Sequence, residues 1–194
     1  MSETQTYLTL GFRHIANLSA YDHLLFLVAL CAVYQISQWR RIAVLVTAFT
    51  IGHSLTLALA TLGVLILPSK IVEFLIPLTI FMTCLLNVLS PRETSRESKF
   101  RGNYLLALFF GLIHGLGFSN YLRALLGREE SILMPLFAFN VGLELGQLMI
   151  VAIILIISFS ITRGFHLIHR RWNLAVSIVA AGVSLMLMYQ TKFW

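Results

Sequence analysis

The sequence predicts an all-α membrane protein: a polytopic bundle of six transmembrane helices, seven if the N-terminal stretch also crosses, with an interfacial segment at its start. Three observations carry this. Of the 194 residues 58% are hydrophobic and 11% charged, with a mean hydropathy of +0.86, and a water-soluble fold has nowhere to hide so many apolar side chains. The apolar residues come in long runs near the ~20 residues that a helix needs to cross about 30 Å of hydrocarbon, without the alternation of barrel strands. The net charge of +6 is spread over the short connections between those runs, which excludes a nucleic-acid-binding patch and makes the lipid bilayer the expected partner of the basic residues.

Residues 1–21 are mixed in polarity, and a stripe through Tyr7, Leu8, Phe12 and Ile15 suits a short helix at the membrane surface. Residues 22–194 form the bundle. The first span is expected over about 22–37, short enough to borrow length from the segment before it. The second runs over about 42–67 and is closed by Pro68. The third covers about 71–89, with Glu73 near its start and Pro77 inside. A hydrophilic loop over 90–101 separates it from the fourth span, about 104–126. The fifth, about 132–161, contains Asn140, Glu144 and Gln147, and the last, about 174–190, has almost no polar residue. Residues 1–10 carry Glu3 and no Lys or Arg, the wrong charge for a signal-peptide n-region, so no cleaved leader is expected. Cys31 and Cys84 sit in apolar runs without CxxC spacing and read as small buried hydrophobes.

Of the 14 Lys and Arg residues, nine fall in the connections after spans one, three and five and five on the opposite side. The positive-inside rule therefore places those three connections in the cytoplasm and both termini outside, as expected of a multi-pass protein of a bacterial inner membrane.

Inside this apolar sequence lies a small set of side chains able to bind metal. His53 and His114 fall roughly 15–17 Å from the basic side of spans two and four, near the midplane, and Glu144 reaches a similar depth from the other side in span five. An ionisable group at that depth costs on the order of 2.5–3.5 kcal/mol and needs a partner, which a shared site supplies. Asn140, one turn from Glu144, serves as a ligand or as an amide that orients the carboxylate. Asp22 and His23 stand together at the start of span one, about 100° apart on a helix, so that one ligates while the other orients it. Asp22 also has the simpler reading of a helix N-cap. His14 lies farther out, and each histidine has the alternative of an ordinary interhelical hydrogen bond. Imidazole and carboxylate without a thiol or Met cluster suit a divalent transition metal such as Ni, Co or Zn. Around two of the histidines the sequence echoes itself, as Phe49-x-x-x-His53-Ser-Leu and Phe110-x-x-x-His114-Gly-Leu.

Four ordered pieces of the chain, Asp22-His23-Leu24-Leu25-Phe26, 49–57 (FTIGHSLTL), 110–118 (FGLIHGLGF) and 139–147 (FNVGLELGQ), resemble the HupE/UreJ family of bacterial membrane proteins. The resemblance implies an inner-membrane protein of six or seven helices assigned to nickel or cobalt handling, in some members beside a partner that matures a hydrogenase or urease metallocentre. In the family a histidine precedes the Asp-His pair at shorter spacing with a glycine between them, whereas here Leu18-Ser19-Ala20-Tyr21 intervenes, which is expected to displace His14.

The leading functional expectation is a metal permease in which the cation passes Asp22 and His23, rests among His53, His114 and Glu144, and leaves toward the basic face. No nucleotide-binding motif is present to drive it. The alternative is an intramembrane zinc hydrolase acting on a lipid amide or ester, with Asp22 or Glu144 as general base and Ser54 beside them. A homo-oligomer is compatible with either.

Overall fold

The structure, a computed structural model, describes residues 2–17, 21–89, 96–126 and 132–194. Among them there are seven α-helices and no strand: α1 (Glu3–Ala16), α2 (Tyr21–Cys31), α3 (Trp39–Thr61), α4 (Ser69–Leu89), α5 (Arg96–Leu126), α6 (Leu133–Gly164) and α7 (His169–Gln190), with one 3₁₀ turn at Ile36–Gln38. Much of the expected hydrophilic loop, residues 90–95, lies outside the described residues, as do Leu18, Ser19 and Ala20. Helices α3 to α7 are each long and apolar enough to cross a membrane, and α1 with α2, bent by 68° between them, pass the same test as a pair.

The first span ends at Cys31, sooner than expected, and borrows length from the segment before it as expected. Helix α2 has 11 residues, roughly 16 Å at 1.5 Å per residue, which is too short to cross alone. The missing length comes from α1, which starts at a Ser2 capping box closed by Gln5. The segment expected at the membrane surface is packed along α6 and buries Tyr7, Gly11 and Ile15.

Two tight helix pairs set the frame. A Cβ on Gly11 would strike the Phe139 carbonyl, and one on Gly142 the Leu8 carbonyl; between α3 and α5 a Cβ on Gly52 would strike the Leu108 carbonyl, and one on Gly111 the Phe49 carbonyl. The two crossings share one reciprocal pattern, each glycine lying on the carbonyl three residues before its partner glycine. Gly115 on the carbonyl of His53 continues the second contact in the same direction, so α3 and α5 run parallel, as do α1 and α6. Small residues allow this approach where lipid offers no hydrophobic force to press helices together. Parallel pairs of this kind are what an alternating six-span chain produces when α1 and α2 form one broken span.

At the far end of α2, polar contacts replace glycine packing. Asn87 donates to the Ala29 carbonyl and to Ser177, and Ser177 donates to Asn173. Arg170 donates to the carbonyls of Asn87 and Val88, closing the C-terminus of α4, and His169 lies 3.1 Å from the Val33 carbonyl. Arg170, at the start of α7, thus ties α7 to the end of α4.

Candidate metal centre

Four helices bring four histidines to one place. His14 comes from α1, His23 from α2, His53 from α3 and His114 from α5. Their ring centroids lie 4.9 Å apart for His14 and His23, 5.4 Å for His23 and His114, and 6.3 Å for both His14–His53 and His23–His53. His23, His53 and His114 are buried at 5%, 0% and 1% exposure, and each leaves a ring nitrogen with no hydrogen-bond partner: Nε2 of His23, both nitrogens of His53, Nδ1 of His114. Nε2 of His14 is in the same state. A buried polar atom without a partner costs free energy, and four imidazoles with such atoms, gathered together, form a donor set lacking its acceptor.

The neighbours decide which ring nitrogen carries the proton. The Asp22 carboxylate accepts from His23 Nδ1 at 3.1 Å, which keeps the proton there and leaves a lone pair on Nε2. Asp22 also accepts from the His23 backbone N–H at 2.9 Å, so it orients the ring from a fixed position. Thr79 of α4 donates to the Ile76 carbonyl at 2.7 Å. Its single proton is thereby committed, and at 3.1 Å from His114 Nε2 its oxygen accepts, leaving the lone pair of that ring on Nδ1. Thr79 was not among the residues singled out from sequence. Its only signal there is a hydroxyl in an apolar run just after Pro77.

For imidazoles around one metal at about 2.0–2.1 Å per nitrogen, ring centroids fall about 5 Å apart in a tetrahedral arrangement. The His14–His23 and His23–His114 pairs stand near that spacing and the pairs of His53 with His14 and His23 beyond it. Among the described residues no group of three or more His, Cys, Asp or Glu side chains stands where it could hold a metal ion, so ligation by these rings requires the helices to draw closer.

One side of the cluster opens into a cavity of about 320 Å³ lined by His14, Asp22, His23, His114, Glu73 and Tyr21, with Ile76, Pro77, Phe118 and Leu187 among its apolar walls. Pro77 supplies no N–H to the Glu73 carbonyl, and both residues line this cavity from α4. These residues come from the beginning of α2 and α4 and from the later parts of α5 and α7. The cavity therefore lies toward the face opposite the nine basic loop residues.

His14 joins the cluster despite the residues inserted after it. Its ring packs 4.0 Å from that of Phe118 and 4.9 Å from that of His23.

Glu144, Asn140 and Ser54 do not join it. Glu144 accepts from Thr47 at 2.6 Å in a separate groove between α3 and α6, lined also by Thr50, Ser54 and Asn140. Ser54 donates to the Thr50 carbonyl and Asn140 to the Leu136 carbonyl. The expected depth of Glu144 matched that of the histidines, but its direction differs: neighbouring residues on a helix point about 100° apart, so His53 and Ser54 of α3 face different compartments. The shared centre expected of His53, His114 and Glu144 is thus corrected to one of His14, His23, His53 and His114 with Asp22. Of the residues the hydrolytic alternative assigned to catalysis, Asp22 alone stands beside the histidines.

The bundle and its buried imidazoles define a class: a multi-pass membrane protein with a polyhistidine centre between its helices. The chain belongs to the HupE / UreJ protein family, whose model matches residues 1–194, the whole chain. No curated protein and no solved structure matches it significantly.

Proposed function

We propose that the protein is a permease for a divalent transition-metal cation of the nickel or cobalt type, taken up across a bacterial inner membrane. The observation that carries the reading is the convergence of four histidines from four helices, each with a buried, unpartnered ring nitrogen, three of which, His14, His23 and His114, line a cavity that also bears Asp22 and Glu73. Family membership supports it through the association of HupE/UreJ proteins with nickel and cobalt.

The chemistry follows from the side chains. Asp22 and Glu73 attract the cation and begin to replace its water, and neutral imidazoles, borderline ligands suited to Ni, Co and Zn, take it over. Donors from separate helices bind strongly only when the helices draw together, so occupancy and bundle shape are linked. The cavity sits on the face that the positive-inside rule places outside, which gives inward passage toward the basic loops.

The direct test is uptake by proteoliposomes loaded with a metal-sensitive dye. Wild-type protein accumulates Ni or Co, and His114→Ala and His53→Ala do not. Absence of uptake by wild-type protein, together with stoichiometric zinc and release of fatty acid from added lipid amides or esters, transfers the assignment to hydrolysis.

A further inference from the structure

The histidines rest on a layer of phenylalanines, and beyond that layer lies a second chamber. Phe26 follows His23 by three residues on α2, whereas Phe49 precedes His53 and Phe110 precedes His114 by four on α3 and α5. Because α2 runs against α3 and α5, these opposite orders put all three phenyl rings on the same side of the imidazoles. Phe26 stacks on Phe49 at 4.8 Å and meets Phe110 at 6.4 Å edge-on. It lies 5.5 Å from the ring of His114, and Phe49 lies 5.1 Å from the same ring. Phe26 and Phe49 are each 1% exposed and Phe110 6%. The repeated Phe-x-x-x-His of the sequence is this double layer seen on two of its helices.

Past the phenyl layer is a small chamber of about 30 Å³, with Phe26 and Phe110 as one wall and Tyr34, Thr83, Asn87 and Asn103 as its polar lining. Asn103 donates to the Tyr34 hydroxyl at 2.8 Å, and Thr83 donates to the Thr79 carbonyl. The space is enough to admit at least one water-sized particle, and its lining comes from the ends of α2 and α4 and the beginning of α5, the side of the basic loops. The histidine cavity and this chamber thus lie on opposite sides of one layer of aromatic rings.

We infer that the chamber is a second subsite on the path of the divalent cation, offering the hydroxyl and amide groups of Tyr34, Thr83, Asn87 and Asn103 among mostly apolar walls, and that Phe26 is the side chain that seals it from the histidines. The inference rests on the permease reading and extends it. A metal released by the imidazoles meets neutral oxygen ligands, which hold nickel-type cations less firmly, so the second subsite favours onward release. The apolar layer between the two raises the barrier to a desolvated ion until Phe26 turns aside. Phe26 is suited to this because it lines the chamber and packs against the ring of His114, and because it sits on α2, the shortest α-helix among the described residues.

The test combines uptake with equilibrium binding of Co²⁺. Filling the chamber with Ala107→Leu or Ala107→Phe, at a lining position 2% exposed, is expected to cut Co²⁺ uptake at least tenfold while the purified variant keeps the tight Co²⁺ binding of the histidine site, which His114→Ala removes. Retained binding shows that the histidine site is folded. Phe26→Ala is expected to raise passive Co²⁺ flux in both directions at least tenfold, whereas Phe26→Leu, which restores an apolar seal, stays within about threefold of wild type. Wild-type uptake that survives both Ala107 variants, or a Phe26→Ala variant that binds Co²⁺ without added flux, overturns the chamber and its seal. Wild-type vesicles that take up no Co²⁺ overturn the permease reading, and the subsite with it.

Discussion

At the scale of single residues, the candidate centre is decided by which nitrogen of each imidazole is left without a partner. Asp22 fixes the His23 proton on Nδ1, and Thr79 performs the same task for His114 from the other ring position. Removing such orienting groups costs roughly 10–100-fold in metal affinity although neither need touch the metal. Asp22→Ala and Thr79→Val are therefore expected to weaken Co²⁺ binding by about 10–100-fold without changing its stoichiometry, measured by titration calorimetry of the purified protein. Glu144 provides the contrast. Since it faces the α3–α6 groove with Thr47 as its hydroxyl donor, Glu144→Gln is expected to leave Co²⁺ affinity within about twofold of wild type. A tenfold loss would instead return Glu144 to the metal centre.

At the scale of helices, two glycine-mediated pairs and one arginine hold the bundle. In Gly111→Ala the new methyl group strikes the Phe49 carbonyl, and because both groups are tied to helix backbones the pair must separate. Overpacking of this kind costs about 1–3 kcal/mol, so the melting temperature in detergent falls. It also moves His114, three residues on, away from His53. Gly182 on α7 is the control, since nothing lies within 4 Å of a Cβ placed there. Gly182→Ala is expected to be neutral or to stabilise by up to about 1 kcal/mol through helix propensity. Arg170→Ala removes two charge-assisted hydrogen bonds from the end of α4. It is expected to lower stability by about 2 kcal/mol while leaving Co²⁺ binding intact, as a thermal melt and a titration on one sample would show.

Across the whole molecule the order of compartments is polar cavity, imidazole layer, phenyl layer, polar chamber. Its direction agrees with the charge asymmetry of the loops, because the cavity opens opposite the nine basic residues. Membrane orientation can be checked independently. Cysteine introduced at Thr191, beside the cavity, in a background lacking Cys31 and Cys84, is expected to react with a charged, impermeant thiol reagent added to intact spheroplasts. Labelling only after the cytoplasmic membrane is broken would reverse the direction.

The membrane class, the long spans, the basic-loop asymmetry and the burial of ionisable side chains such as His23, His53 and His114 were all legible in the sequence. They follow from composition, run length and the cost of placing ionisable groups in hydrocarbon, which are properties of each segment by itself. Only the tertiary structure decided which of those groups meet. Depth along a helix can be counted from its end, but direction around the helix depends on its rotation against its neighbours, and here glycine contacts between α1 and α6 and between α3 and α5 set that rotation. The same contacts bring in His14, which its spacing had set apart, and turn Glu144, Asn140 and Ser54 into another groove. Because α2 runs against α3 and α5, three scattered phenylalanines also become a single layer beneath the histidines.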